Sequence, residues 1–96
     1  MTKTQFTLGQ DCYLTHDCLT DGIIKRGRIE RGTTGAIIAR PIGGFERRID
    51  ADVHANQLDA IEFAMALRSS AAALALSQGD PAEAIRLEGL LLEVAS

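Results

Sequence analysis

The chain has no tryptophan, one tyrosine and three phenylalanines among its 96 residues. Few flat side chains are on offer for stacking bases or sugars, which weighs against single-stranded nucleic acid as a partner. Cysteine is equally scarce, at Cys12 and Cys18. Two are too few for the disulfide framework of a small secreted domain, and in a reducing compartment they are expected to be free thiols. Phosphate-binding loops are missing as well. Gly27, Gly32, Gly35 and Gly43-Gly44 lead into neither Gly-Lys-Ser/Thr nor a Gly-x-Gly-x-x-Gly turn between a strand and a helix, so they read as turn and bulge glycines. With no signal-peptide pattern and no long apolar span, a cytoplasmic protein that does not enter a membrane is expected.

What is present suits one folded unit. Apolar residues make up 46% and charged residues 24%, an ordinary balance for a globular domain, and at this length roughly 60–70% of the unfolded surface can be buried. A single domain over 1–96 is expected, with a sheet part over 1–52 and a helical part over 56–96.

The net charge of −3 conceals a division. Between Lys25 and Arg48 seven cations face two anions, Glu30 and Glu46, for a local charge of +5. From Ile49 onward two arginines face eight carboxylates, for −6. Asymmetry of this kind directs association with a charged partner.

Side-chain patterning changes at the same place. Runs rich in Ile, Thr and Tyr, punctuated by Asp21-Gly22, Arg31-Gly32, Pro41 and Gly43-Gly44, predict strands near Asp11–His16, Ile23–Arg31, Thr34–Arg40 and Phe45–Ala51. In the fourth, Phe45, Arg47, Ile49 and Ala51 alternate with Glu46, Arg48 and Asp50, as in a sheet with one wet face. The short connections favour antiparallel neighbours.

After residue 55 the chain turns to the good helix formers Ala, Leu, Glu and Gln. Asn56 is placed to cap a first helix, with Asp59 in its first turn. Leu58, Ile61, Met65, Ala72 and Leu76 form one stripe, and Phe63, Leu67 and Leu74 a second. Gly79 suits a left-handed C-terminal cap, Asp80 caps a second helix, Pro81 opens it and Glu83 completes an Asp-x-x-Glu capping box. That helix is expected to run to about Val94, presenting Leu87, Leu90, Leu91 and Val94 on one side. The fold class is thus α+β: a four-stranded antiparallel curled sheet, SH3-like or a meander, followed by two antiparallel helices. Leu74, Leu87, Leu91 and Leu92 are the expected packing residues, either within a helical hairpin or across a homodimer.

Reactive side chains crowd together only in Asp11–Cys18, "DCYLTHDC". Cys12, Leu14 and His16 share a face of an extended strand, and Cys18 joins them only if the strand continues. Paired zinc-binding cysteines ordinarily lie two to four residues apart, so Cys-x3-His-x-Cys fits poorly even with His54 added. Cysteines packed in the core are the preferred reading, with no metal and no cofactor. Asp11, Asp17 and Asp21 would raise a nearby thiol pKa, which argues against a nucleophile. Asp50 and Asp52 lack the pocket and the supporting histidine that paired catalytic acids need. No enzyme is expected.

The basic cluster offers another kind of site. Lys25, Arg26 and Arg28 on the second strand, with Arg47 and Arg48 on the fourth, would form a phosphate-binding patch if those strands are near each other. Equally, such charges blunt exposed sheet edges.

Tyr13-Leu14-Thr15-His16-Asp17-Cys18-Leu19-Thr20-Asp21-Gly22-Ile23, then Val53-His54-Ala55-Asn56-Gln57-Leu58-Asp59-Ala60, Ala64 and Arg68, resembles small uncharacterised proteins of phages and other mobile elements. The resemblance spans about residues 12 to 76. It implies a twisted sheet closed by an alanine-rich helix, and it places Cys18 at a small packing position. The arginine-rich second strand and the helix after Gly79 depart from that pattern.

The expectation is therefore a non-catalytic interaction protein docking on a host protein complex. Its most concrete form is an anti-defence inhibitor, which resembles anti-CRISPR proteins in small size, absence of motifs and polarised charge. The alternative is a small nucleic-acid-binding regulator using the five basic residues.

Overall fold

The computed structural model describes residues 6–95; residues 1–5 and 96 of the expected domain lie outside it. The fold is α+β, a curled antiparallel sheet with three helices, two of them long. The strands are β1 (Asp11–Leu14), β2 (Ile23–Arg31), β3 (Ile37–Pro41), β4 (Arg47–Arg48), β5 (Val53–His54) and β6 (Glu93–Val94). The helices are α1 (Cys18–Asp21), α2 (Gln57–Ser77) and α3 (Pro81–Glu88).

β1 to β4 follow one another as a meander, and β5 returns to pair with the free edge of β1, giving the order β4-β3-β2-β1-β5. The nine-residue β2 is the spine. Its Ile29 exchanges bonds with the β1 side, through Gln10 O and Gly9 N, whereas its Arg26 carbonyl accepts from Ile42 beyond β3. Carbonyls two residues apart point to the same edge, so Gly22 and Ile24 present theirs on the β3 side. β3 does not reach that far. β6 fills the vacancy in parallel, with Glu93 N donating to Gly22 O and Ala95 N to Ile24 O.

Four sequence expectations need correction here. Among the described residues six strands and three helices stand where four and two were expected, because the two-residue strands β5 and β6 and the one-turn α1 are too short to leave a run of formers in the sequence. Only Arg47–Arg48 of the expected Phe45–Ala51 strand pairs with β3. The turn at Gly43 (φ 75°) keeps Phe45 outside the ladder and 90% exposed. Thirdly, the second helix stops at Glu88, where Gly89 follows and Leu92 and Val94 turn extended against the core beside Ile24. Finally, Glu83 does not complete a reciprocal capping box. The Asp80 N–H is already taken by Ala75 O at 2.8 Å, while Gly79 N donates to Leu76 O at 3.1 Å, the two bonds of a Schellman cap. The Glu83 carboxylate pairs with Arg86 instead. The other cap contacts are as expected: Asn56 accepts from Asp59 N at 2.9 Å and Asp80 from Glu83 N at 3.1 Å.

Residues opposite each other on neighbouring strands share a face. On the inner face Cys12, Leu14, Ile29, Ala39 and Val53 form one core, closed by Phe6 and Ile49. Gly27 belongs to this face, and a Cβ there would lie 2.6 Å from Arg40 O and 2.8 Å from Leu14 Cδ1, so the curl closes only on glycine. The second core lies on the outer face, where Cys18, Ile24, Ala60 and Ala64 meet under Tyr13, Leu19, Ile61, Leu67, Leu92 and Val94. The buried positions of α2 are all alanine: Ala60, Ala64, Ala72 and Ala75. Small residues let the helix axis approach the sheet and α3, and the leucines are displaced to the flanks. Leu74 and Leu91 are therefore exposed, Leu87 is buried and Leu92 half-buried, which splits the expected packing set.

Candidate functional site

Lys25 lies on the same face as its partner Leu14, and Arg47 on that of Ala39, both core residues of the inner face. Arg26, Arg28 and Arg48 alternate with them and fall on the outer face. The five basic residues therefore do not form one patch. β3 also separates β2 from β4.

The outer-face arginines are interleaved with acids. Arg28 Nε lies 3.8 Å from Asp11 Oδ1. Arg40, opposite Arg28, donates to Glu30 Oε2 at 2.6 Å and to Glu46 Oε2 at 3.4 Å. Arg26 and Arg48 make no ion pair among the described residues. Arg28 and Arg40 are thus engaged by carboxylates, whereas Arg26 and Arg48 stand apart on β2 and β4.

The inner-face cations are also paired with carboxylates, but they converge on one cleft. At one end of the curled sheet His16, Lys25 and Arg47 line a cleft of about 360 Å³ beneath the β3–β4 turn, with Ile42, Gly43 and Phe45 as its rim. Lys25 Nζ donates to Asp17 Oδ2 at 2.9 Å, and His16 Nε2 lies 3.2 Å from the same oxygen. Arg47 Nη2 donates to Asp52 Oδ2 at 3.3 Å. The carboxylate of Glu46 is held by Thr33 and Arg40. Three buried side-chain atoms have no partner among the described residues, and all belong to this corner: His16 Nδ1, Arg47 Nε and Asp52 Oδ1. Burial, and then Arg47, holds His16 below its ordinary pKa, while Asp17 raises it. Sequence reasoning grouped Lys25 with Arg47 but left out His16, which it had weighed only as a metal or thiol partner.

The other groups singled out by the sequence lie apart. Cys12 is inside the sheet and Cys18 sits in α1 under α2, in separate cores. Burial, followed by Asp11, pushes the Cys12 thiol up to about 11, and burial raises Cys18 as well. Desolvation thus outweighs the aspartates invoked from sequence. His54 packs on Phe63 with ring centres 4.7 Å apart. Its Nε2 lies 3.0 Å from Thr15 Oγ1, which is 3.3 Å from Asp52 O, an arrangement satisfied when the ring N–H donates to the hydroxyl and the hydroxyl to the carbonyl. Among the described residues no three metal-ligating side chains converge.

A second exposed feature is apolar. Leu58, Met65 and Leu76 are spaced seven and eleven residues apart, which puts them on one line along α2, and all three are exposed. A shallow groove beside this line is lined by Arg68, Ser69, Ala72, Ala73, Leu76 and Glu88. By length and composition α2 is apolar enough to cross a membrane. Glu62 and Arg68 interrupt it, and Arg68 Nη1 donates to Leu90 O at 2.7 Å.

Compared with known proteins, the chain matches no family model, no curated protein and no solved structure.

Proposed function

We propose that this chain is a non-enzymatic interaction protein that docks on a host protein complex through the exposed flank of its helical hairpin. The observation that carries this reading is the line Leu58, Met65 and Leu76 on a helix whose buried positions are only alanines. A helix with so little of its apolar surface covered is suited to burying the rest against another protein. The strand order, with β5 returning to β1, supports an SH3-like curl as the scaffold. An inhibitor of a host defence complex is the concrete version, supported by small size and polarised charge.

The test is capture from a bacterial lysate on the immobilised protein, with and without nuclease and at low and high salt. A discrete assembly that survives both treatments and is lost with Leu76→Asp supports docking by the hairpin. Recovery that disappears with nuclease overturns it in favour of a nucleic-acid-binding regulator, whose affinity must fall steeply with salt. Light scattering of the free protein separates a third outcome, in which the flank is covered by a second copy.

A further inference from the structure

We infer that the cleft beneath the β3–β4 turn is a binding site for a phosphate group, held by Lys25 and Arg47 with His16 in the adjoining wall. The inference is independent of the helical hairpin. It begins with which charges line the cleft: His16, Lys25 and Arg47 do, whereas Asp17 and Asp52 do not. Both aspartates hold the cations from outside the lining, Asp17 at 2.9 Å from Lys25 and Asp52 at 3.3 Å from Arg47. Glu46 contributes to the wall, but its carboxylate is bonded to Thr33 and Arg40. Lys25 and Arg47 thus face the cleft together, with the charge of Glu46 offset by Arg40, and each cation retains unused donors.

His16 makes the site sensitive to pH. In neutral His16 the Nε2–H donates to Asp17, and Nδ1 is buried away from the cleft. An anion in the cleft beside the ring favours its protonated form through space. Binding should therefore tighten as pH falls toward the His16 titration, against the groups that face the ring: Arg47 and Lys25 disfavour its charge, while Asp17 and Asp52 favour it. The rim residues Phe45 and Ile42, 90% and 80% exposed, offer apolar contact to whatever carries the phosphate.

Titration of the full chain with inorganic phosphate, followed by amide and His16 ring NMR shifts, tests the site. Saturable shifts confined to His16, Lys25, Gly43, Gly44 and Arg47, with the His16 pKa raised on binding, are expected. Lys25→Gln should weaken binding about tenfold, the effect of losing one charge-assisted hydrogen bond, and Arg26→Gln on the outer face should leave it unchanged. Shifts that do not saturate, or equal weakening by both variants, would overturn the site. Parallel titrations with adenosine monophosphate and a 5′-phosphorylated oligothymidine separate the sources. Tighter binding of either, reversed by Phe45→Ala, assigns a nucleotide or strand end; equal affinity for all three assigns the phosphate group alone.

Discussion

One glycine and one cysteine show how single residues set the limits of this fold. Gly22 closes α1 at φ 81°, and a Cβ there would stand 2.0 Å from Leu91 O. Gly22→Ala therefore meets a left-handed backbone and displaces the C-terminal segment from β2. We expect a loss of about 2 kcal/mol or more in urea unfolding, with accelerated exchange of the Ala95 amide. The cysteine expectation concerns pH. Cys12 has a folded pKa of about 11 against 9.0 for the free thiol, so the folded state keeps its proton after the unfolded chain has lost it. Its contribution is complete below pH 9 and is lost as pH rises to 11, up to about 2–3 kcal/mol. Cys12→Ala should reduce the alkaline fall in melting temperature, and an identical fall in both proteins would remove desolvation of this thiol as its cause. What sequence conveyed about these residues was uneven. Turn glycines were legible from their neighbours, but the close approach of Leu91 to Gly22 is a contact between distant segments and leaves no local trace.

Elements were legible where their signals are local. β2 ends where its composition says, and the Asn56 and Asp80 caps are fixed by side chains three residues from the amides they bind. The burying face of α2 was not legible. Its apolar residues encircle the helix, so periodicity selects no side, and the choice falls to the alanines because Cys18 and Ile24 come close beneath them. This has a testable consequence. Ala64→Leu should overpack the second core and cost about 1–3 kcal/mol, whereas Leu58→Ala on the exposed flank should change stability by no more than about 0.5 kcal/mol. Chemical denaturation of the two variants checks the assignment, and the reverse order would place the helix the other way round. β6 was illegible for a similar reason. Leu90, Leu91 and Leu92 continue a helical pattern, yet extended pairing with Ile23 and Ile24 covers the edge that β3 leaves open.

At the scale of the whole molecule the chain is drawn out. Its radius of gyration is 14.7 Å and its extents are 45 × 31 × 24 Å, against about 12.5 Å expected for a compact chain of this length. The far half of α2 lies beside α3, and Leu76 at its end is 56% exposed. Because Met65 and Leu76 are already in water, replacing either by Asp removes little buried area and leaves no cavity. Their melting temperatures should stay within about 0.5 kcal/mol of wild type in equivalent stability. A partner that covers the flank would instead have to desolvate the new carboxylate without a counter-charge, a penalty of several kcal/mol that converts to a loss of a hundredfold or more in affinity. Unchanged stability together with lost capture is thus the signature of a docking surface. Lost stability in both variants would mean that the flank packs within the chain itself, and the proposed interaction would have to move to another face.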